Sequence, residues 1–142
     1  MLAGLCGCQT QDPLRHQTVD ATWRVQQGQA VWRVKTGGAE VAGELWLATS
    51  PQGHTLLQFS KPMLPFVEAR QADRAWQVRF LSQKQTYRGN GQPPARLVWL
   101  QLPGALAGKN PPPPWRFARQ AEGAWALVND KTGEALEGFF AP

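Results

Sequence analysis

From about Trp23 onward, apolar and polar residues alternate with period two in short runs, the pattern of half-buried β-strands. In Ala30 to Lys35, one face carries Ala30, Trp32 and Val34, and the other carries Arg33 and Lys35. After a turn at Thr36-Gly37-Gly38, Val41, Gly43, Leu45 and Leu47 share a face opposite Ala42, Glu44, Trp46 and Ala48. Ser50-Pro51-Gln52-Gly53 has Pro and Gly where a tight turn needs them. Thr55, Leu57 and Phe59 form the next apolar face, opposite Leu56, Gln58 and Ser60. The cleanest alternation is Ala75 to Phe80, with Trp76, Val78 and Phe80 on one side and Gln77 and Arg79 on the other.

The segment Lys61-Pro62-Met63-Leu64-Pro65 is expected to interrupt the ladder, since neither Pro can donate a hydrogen bond. A short strand is expected at Phe66 to Ala69. Another is expected at Thr86 to Arg88, ending at Gly89-Asn90-Gly91, which reads as a hairpin signal. Ala95 to Leu102 lies between Pro93-Pro94 and Pro103-Gly104, which suits a two-turn helix, although a strand of the same length also fits. Asn110 to Pro114 reads as a rigid polyproline connector. Three strands close the chain at Trp115–Arg119, Ala124–Val128 and Glu134–Phe140. The last two are joined by the hairpin loop Asn129-Asp130-Lys131-Thr132-Gly133. The total is nine or ten strands and one short helix, in a single domain over residues 21–142. One side of the sheet faces water, and the sheet curls or closes to bury the other.

Composition agrees with that class. The 142 residues include 14 Gly, 12 Pro, 7 Trp and 15 Gln but no Ile, which favours an antiparallel β-protein over a helical bundle. At this length a large barrel enzyme or a kinase is excluded. The chain carries 15 Lys+Arg against 10 Asp+Glu, a net charge of +5. These cations are spread along the sequence, as on a solvated surface. Their functional counterpart would be attraction to anionic lipid head groups. No helix-turn-helix or aromatic RNP strand is present, so nucleic acid is not an expected partner.

Both cysteines, Cys6 and Cys8, lie at the start. They cannot staple the domain, and alone they lack the further ligands that a metal needs. Leu5-Cys6-Gly7-Cys8 resembles the end of a bacterial lipoprotein signal. That likeness implies acylation of Cys8, with residues 1–8 as the remainder of the signal. Gln9 after the cysteine then favours sorting to the outer membrane, facing the periplasm. The seven residues before Cys8 are short for a secretory signal and carry no charge, so the start is expected to be internal to a longer signal. Residues 9–20 are polar, contain Pro13 and read as a flexible tether.

The order of these motifs is similar to the LolA/LolB-like superfamily, which comprises a periplasmic carrier of lipoproteins and its outer-membrane receptor. Two segments carry the likeness: Glu44-Leu45-Trp46-Leu47-Ala48-Thr49-Ser50-Pro51-Gln52-Gly53-His54 and Leu97-Val98-Trp99-Leu100-Gln101-Leu102-Pro103. The resemblance implies a mainly β fold: an incomplete, half-open antiparallel β-barrel around a hydrophobic cavity, with one or more short helices as a lid. On this implication the cavity is lined by Trp32, Val34, Leu45, Leu47, Leu57, Phe59, Trp76, Val78 and Phe80, and the lid carries Leu97, Trp99 and Leu100. The partners would be acyl chains of a lipid or lipoprotein, and the membrane itself through the N-terminal anchor. The receptor's protruding Leu corresponds to polar Gln52 here, so the resemblance does not extend to insertion of cargo into the membrane.

Catalytic candidates are few. Glu134 and Glu137 read as a surface pair near an edge strand, and His16 and His54 have no obvious Ser or Cys partner. No catalytic residue, metal site or cofactor is expected. Two alternatives to an acyl-binding lipoprotein remain open. One is a non-catalytic structural or interaction lipoprotein with a filled core. The other is a glycan-binding module, since an outward Trp such as Trp46 can stack on sugars.

Overall fold

The structure, a computed structural model, describes residue 14 and residues 17–61 and 64–142. The cysteines, and with them the expected acyl anchor at Cys8, lie outside the described residues.

The chain is mainly β. Its strands are β1 (Arg24–Arg33), β2 (Glu40–Thr49), β3 (Thr55–Lys61), β4 (Leu64–Ala72), β5 (Ala75–Phe80), β6 (Gln85–Asn90), β7 (Trp115–Arg119), β8 (Ala124–Asn129) and β9 (Ala135–Phe140). One helix, α1 (Val98–Leu106), separates β6 from β7. The nine strands among the described residues form one antiparallel sheet in the order β6-β5-β4-β3-β2-β1-β9-β8-β7. The borders β6 and β7 are not paired with each other, so the sheet is not closed into a barrel.

The register carries one apolar face across the whole sheet. Trp32 stands opposite Val41 and Leu136, Leu45 opposite Phe59, and Leu57 opposite Leu47 and Ala69. Beyond them, Val78 faces Ala69 and Tyr87, and Leu127 faces Leu136 and Phe117. Because side chains alternate with period two, this register fixes the inner face at every strand.

Three local expectations are corrected. Pro65 does not end the ladder: β4 runs from Leu64 to Ala72, and a register shift between Phe59 and Ser60 absorbs the irregularity. Gly89-Asn90-Gly91 is not a hairpin. Gly89 and Asn90 belong to β6, and the β5–β6 turn lies at residues 81–84, where Lys84 has φ 52°. Gly89 stands opposite Trp76, where a Cβ would fall 2.5 Å from the indole ring, so glycine lets that ring lie flat on the neighbouring strand. The helix is also displaced, starting at Val98 and continuing through Pro103-Gly104 to Leu106. Its end comes at Gly108, whose φ of 94° suits the left-handed turn after a helix.

Within the expected tether, the described residues Leu14 and Gln17 contact the sheet. Gln17 Nε2 donates to the carbonyls of Thr55 (3.3 Å) and Gln71 (2.8 Å), and Arg70 donates to the Leu14 carbonyl. Leu14 is buried, as are outward-facing Ala48, Leu56 and Ala72.

Two glycines test this geometry. A Cβ on Gly28 would meet the Phe139 carbonyl oxygen at 1.8 Å, where β9 crosses β1. Gly28→Ala is expected to lower stability by about 1–3 kcal/mol. Gly104, inside α1, has only Lys109 side-chain atoms at 3.8 Å and beyond. Gly104→Ala is expected to raise stability by about 0.5–1 kcal/mol through helix propensity. Urea unfolding of the two variants beside the wild type checks both signs.

Candidate functional site

The inner face and the helix that lies on it form the candidate site. Connectivity puts the helix there. β6 and β7 are at opposite borders of the sheet, so residues 91–114 must travel from one border to the other. α1 is apolar on nearly every side, with Val98, Trp99, Leu100, Leu102, Pro103 and Ala105 all buried. Such a helix is stable only inside a core.

Its own ends contribute little. The N-cap position is Leu97, which makes no side-chain cap, the first turn has no acidic residue and the last has no basic one. Pro103 has no N–H for the intrahelical bond to Trp99. Tertiary contacts hold the helix instead. Gln71 Nε2 donates to the Leu100 carbonyl (3.1 Å), and Trp115 Nε1 donates to the Ala95 carbonyl just ahead of the helix. Arg119 donates to the Leu106 carbonyl at its end. Trp99 stacks on Phe59 at 5.0 Å and 29°, and meets Trp32 edge-on at 5.4 Å and 72°.

Most of the residues expected to line a cavity converge here. Trp32, Leu45, Leu47, Leu57, Phe59, Trp76 and Val78 share the inner face and are buried, and Phe80 is half-buried beside Trp32 and Tyr87. Val34 does not join them. β1 ends at Arg33, and Val34 is 51% exposed in the turn that follows. Leu97, Trp99 and Leu100 are buried as part of the core itself. The helix therefore lies on the inner face of the sheet, and that face is packed. Leu57, Phe59, Val78 and Leu102 have no exposed surface. Val67, Leu102, Trp115, Trp125, Leu127 and Leu136 are among the further residues of this core that were missing from the expected set. The alternation around Trp125 and Leu127 was the available signal. At one end of α1, Arg24, Gln26, Leu47, Thr49, Pro103 and Leu106 line an opening of about 290 Å³.

Polar groups inside this core are unevenly satisfied. Trp32 Nε1 donates to Glu134 Oε2 at 2.9 Å. The indole N–H groups of Trp76, Trp99 and Trp125 are buried with no partner among the described residues. A buried donor without an acceptor costs about 1–3 kcal/mol.

Glu134 and Glu137 are not a pair at an edge. β9 lies between β1 and β8, Glu137 points outward and is exposed, and Glu134 is partly buried against Trp32. Burial raises the Glu134 pKa above the usual glutamate range, and the Trp32 hydrogen bond offsets part of that rise. His54 is engaged by Asp73, with Nε2 3.1 Å from Oδ1. Ser50 Oγ accepts the His54 backbone N–H (3.0 Å), which closes the turn that displays exposed Gln52. Ser50 and His54 are thus joined through a turn contact and not as nucleophile and base. Among the described residues there is no group of three or more His, Cys, Asp or Glu able to hold a metal, and no helix is long and apolar enough to cross a membrane.

The sign of the Glu134 effect follows from linkage. A carboxyl with a raised folded-state pKa binds its proton more tightly in the folded chain. Its favourable contribution is present below the unfolded-state pKa and is lost as pH rises through the folded-state value. Glu134→Gln keeps an acceptor for Trp32 and removes the charge. Its melting temperature is expected to exceed that of the wild type at neutral pH, with the difference shrinking toward about pH 4. Thermal melts from about pH 4 to about pH 8 check this, and equal melting curves for the two proteins would contradict it. In comparison with known proteins, the chain matches no family model and no curated sequence.

Proposed function

We propose that this domain is the body of a non-catalytic, LolA/LolB-like lipoprotein. It would be anchored through an acylated Cys8 to the outer membrane and face the periplasm. Its curled sheet would act as a half-open barrel that takes up acyl chains of a lipid or lipoprotein, with α1 as the lid. The observation that carries this reading is the state of the helix inside the sheet. An uncapped nine-residue helix with Pro103 inside it packs Trp99 against Phe59 and Trp32 on the apolar face of the sheet. The three partnerless indole N–H groups support the same reading. Ester or amide carbonyls at the head of an acyl chain would supply the acceptors that the protein does not. The opening beside Leu47 and Leu106 gives such a chain a point of entry.

Magnitudes decide which ligand suits the site. Leaving the hollow exposes several large side chains of α1, each worth about 1.5–3 kcal/mol, or on the order of 10 kcal/mol together. One acyl chain of about fifteen CH₂ groups, at about 0.8 kcal/mol each, returns a similar amount. A single chain therefore comes close to balancing the displaced helix, whereas two chains exceed it.

Delipidated protein is expected to bind a fluorescent diacyl lipid more tightly than a fluorescent single-chain fatty acid of the same length. Trp99→Leu, which shortens the side chain filling the hollow, is expected to tighten both while lowering stability. Absence of saturable binding by either probe to folded wild-type protein would overturn the proposal. Intact-mass measurement of membrane-extracted protein tests the anchor separately, by the presence or absence of acyl mass on Cys8.

A further inference from the structure

The outer face of the sheet has a different chemistry, which the acyl-binding reading leaves unused. On one rung across the strands, Gln58, Trp46 and Gln27 stand side by side. On the next rung the order is Ser60, Glu44, Gln29 and Phe139. Neighbouring strands lie about 4.8 Å apart, so each aromatic ring is flanked by an amide or carboxylate within reach of one ligand. Phe139 is 47% exposed, Trp46 is half-buried, and Gln27, Gln29, Glu44 and Gln58 are exposed.

Two depressions of about 470 and about 480 Å³ lie here. Gln29, Glu44 and Phe139 line both, so together they make one groove across the strands. The second depression continues over the small side chains of Ala42 and Ala124.

Three features identify the occupant. No side chain among Gln27, Gln29, Glu44, Gln58 and Ser60 makes a hydrogen bond or ion pair within the described residues, so their polar atoms face the groove unengaged. The lining has no Lys or Arg, although the chain carries +5 overall, and it includes Glu44 and Glu137. Anionic ligands, such as phospholipid head groups or nucleic acid, are therefore disfavoured at this place. The strands beneath it are internal to the sheet, with their backbone groups committed to neighbours, so a peptide cannot add as a further strand. What remains is a ligand with apolar ring faces and many neutral hydroxyls: the ring faces stack on Trp46 and Phe139 while amides, hydroxyl and carboxylate bind the hydroxyls.

We propose that the outer-face groove from Trp46 to Phe139 binds a neutral oligosaccharide chain lying across strands β3, β2, β1, β9 and β8. This site is independent of the inner face and does not rest on acyl binding.

The test is isothermal titration of the full chain with cellohexaose and with hexa-N-acetylchitohexaose, beside a sulfated oligosaccharide of similar length. The expected result is saturable binding of at least one neutral oligomer and weaker binding of the sulfated one. Trp46→Ala should reduce affinity about tenfold or more, Trp46→Phe should retain most of it, and Gln29→Ala should weaken binding. A matched melting temperature for each variant separates loss of the site from loss of the fold. Gln29→Ala alone decides the matter if Trp46→Ala does not fold. The proposal is overturned if neither neutral oligomer saturates the wild type at millimolar concentration. It is equally overturned if folded Trp46→Ala, or in its place Gln29→Ala, binds as the wild type does, or if the sulfated chain binds best.

Discussion

Trp99 stacks on Phe59 and meets Trp32 edge-on because the chain must pass from one border of the sheet to the opposite one. The six strands before α1 form a meander from β1 out to β6, and the three strands after it return to pair with β1 through β9. The crossing segment has to lie on a face, and the inner face is the apolar one. Once the helix is there, it buries the indoles, aliphatic residues and Phe59 in one core. Local propensity contributes little to α1, which has a proline within it and no cap. The helix is therefore formed by packing, as short helices generally are.

The indole N–H groups are treated unevenly. Trp32 donates to Glu134 and Trp115 to the Ala95 carbonyl. Trp76, Trp99 and Trp125 find no acceptor among the described residues. Area burial at all three positions, with ring contacts added at Trp99 and Trp125, outweighs an unmade hydrogen bond, since a large buried ring contributes more than the penalty of a lone N–H. Glu134 shows the reverse compromise. A carboxylate is drawn out of water to satisfy Trp32, and its proton affinity rises as a consequence.

Period-two alternation made the strands legible in the sequence. Trp76, Val78 and Phe80 face inward together, as do Leu45, Leu47, Leu57 and Phe59, because one register links all of them. What alternation could not supply was anything set by tertiary contact. Val34 continues the pattern of Trp32 but falls one residue beyond the last rung, so nothing covers it. Gly89-Asn90-Gly91 has hairpin chemistry, yet Gly89 is required by the indole of Trp76 lying across it. Pro103-Gly104 reads as a helix stop, but burial carries the helix past it. Glu134 looks like a surface residue until β9 is found between β1 and β8. The inner face was visible as a set of residues. Its filling by α1 was not, because that depends on which borders the helix connects.

The same alternation separates two chemistries by the thickness of one sheet. Each inward Leu or Trp has outward neighbours on its own strand: Leu45 and Leu47 flank Trp46, and Leu57 and Phe59 flank Gln58. A one-residue slip of β2 against β3, with β3 held in place, would turn Glu44 and Trp46 toward the core and expose Leu45 and Leu47. The core thus enforces the register that aligns Gln58, Trp46 and Gln27 on one outer rung. Residues that never touch the core are set in place by it, so the outward row is as rigid as the sheet behind it. A side chain on the outer rung can be changed without altering inner packing, whereas a change at Phe59 or Trp99 would disturb both faces.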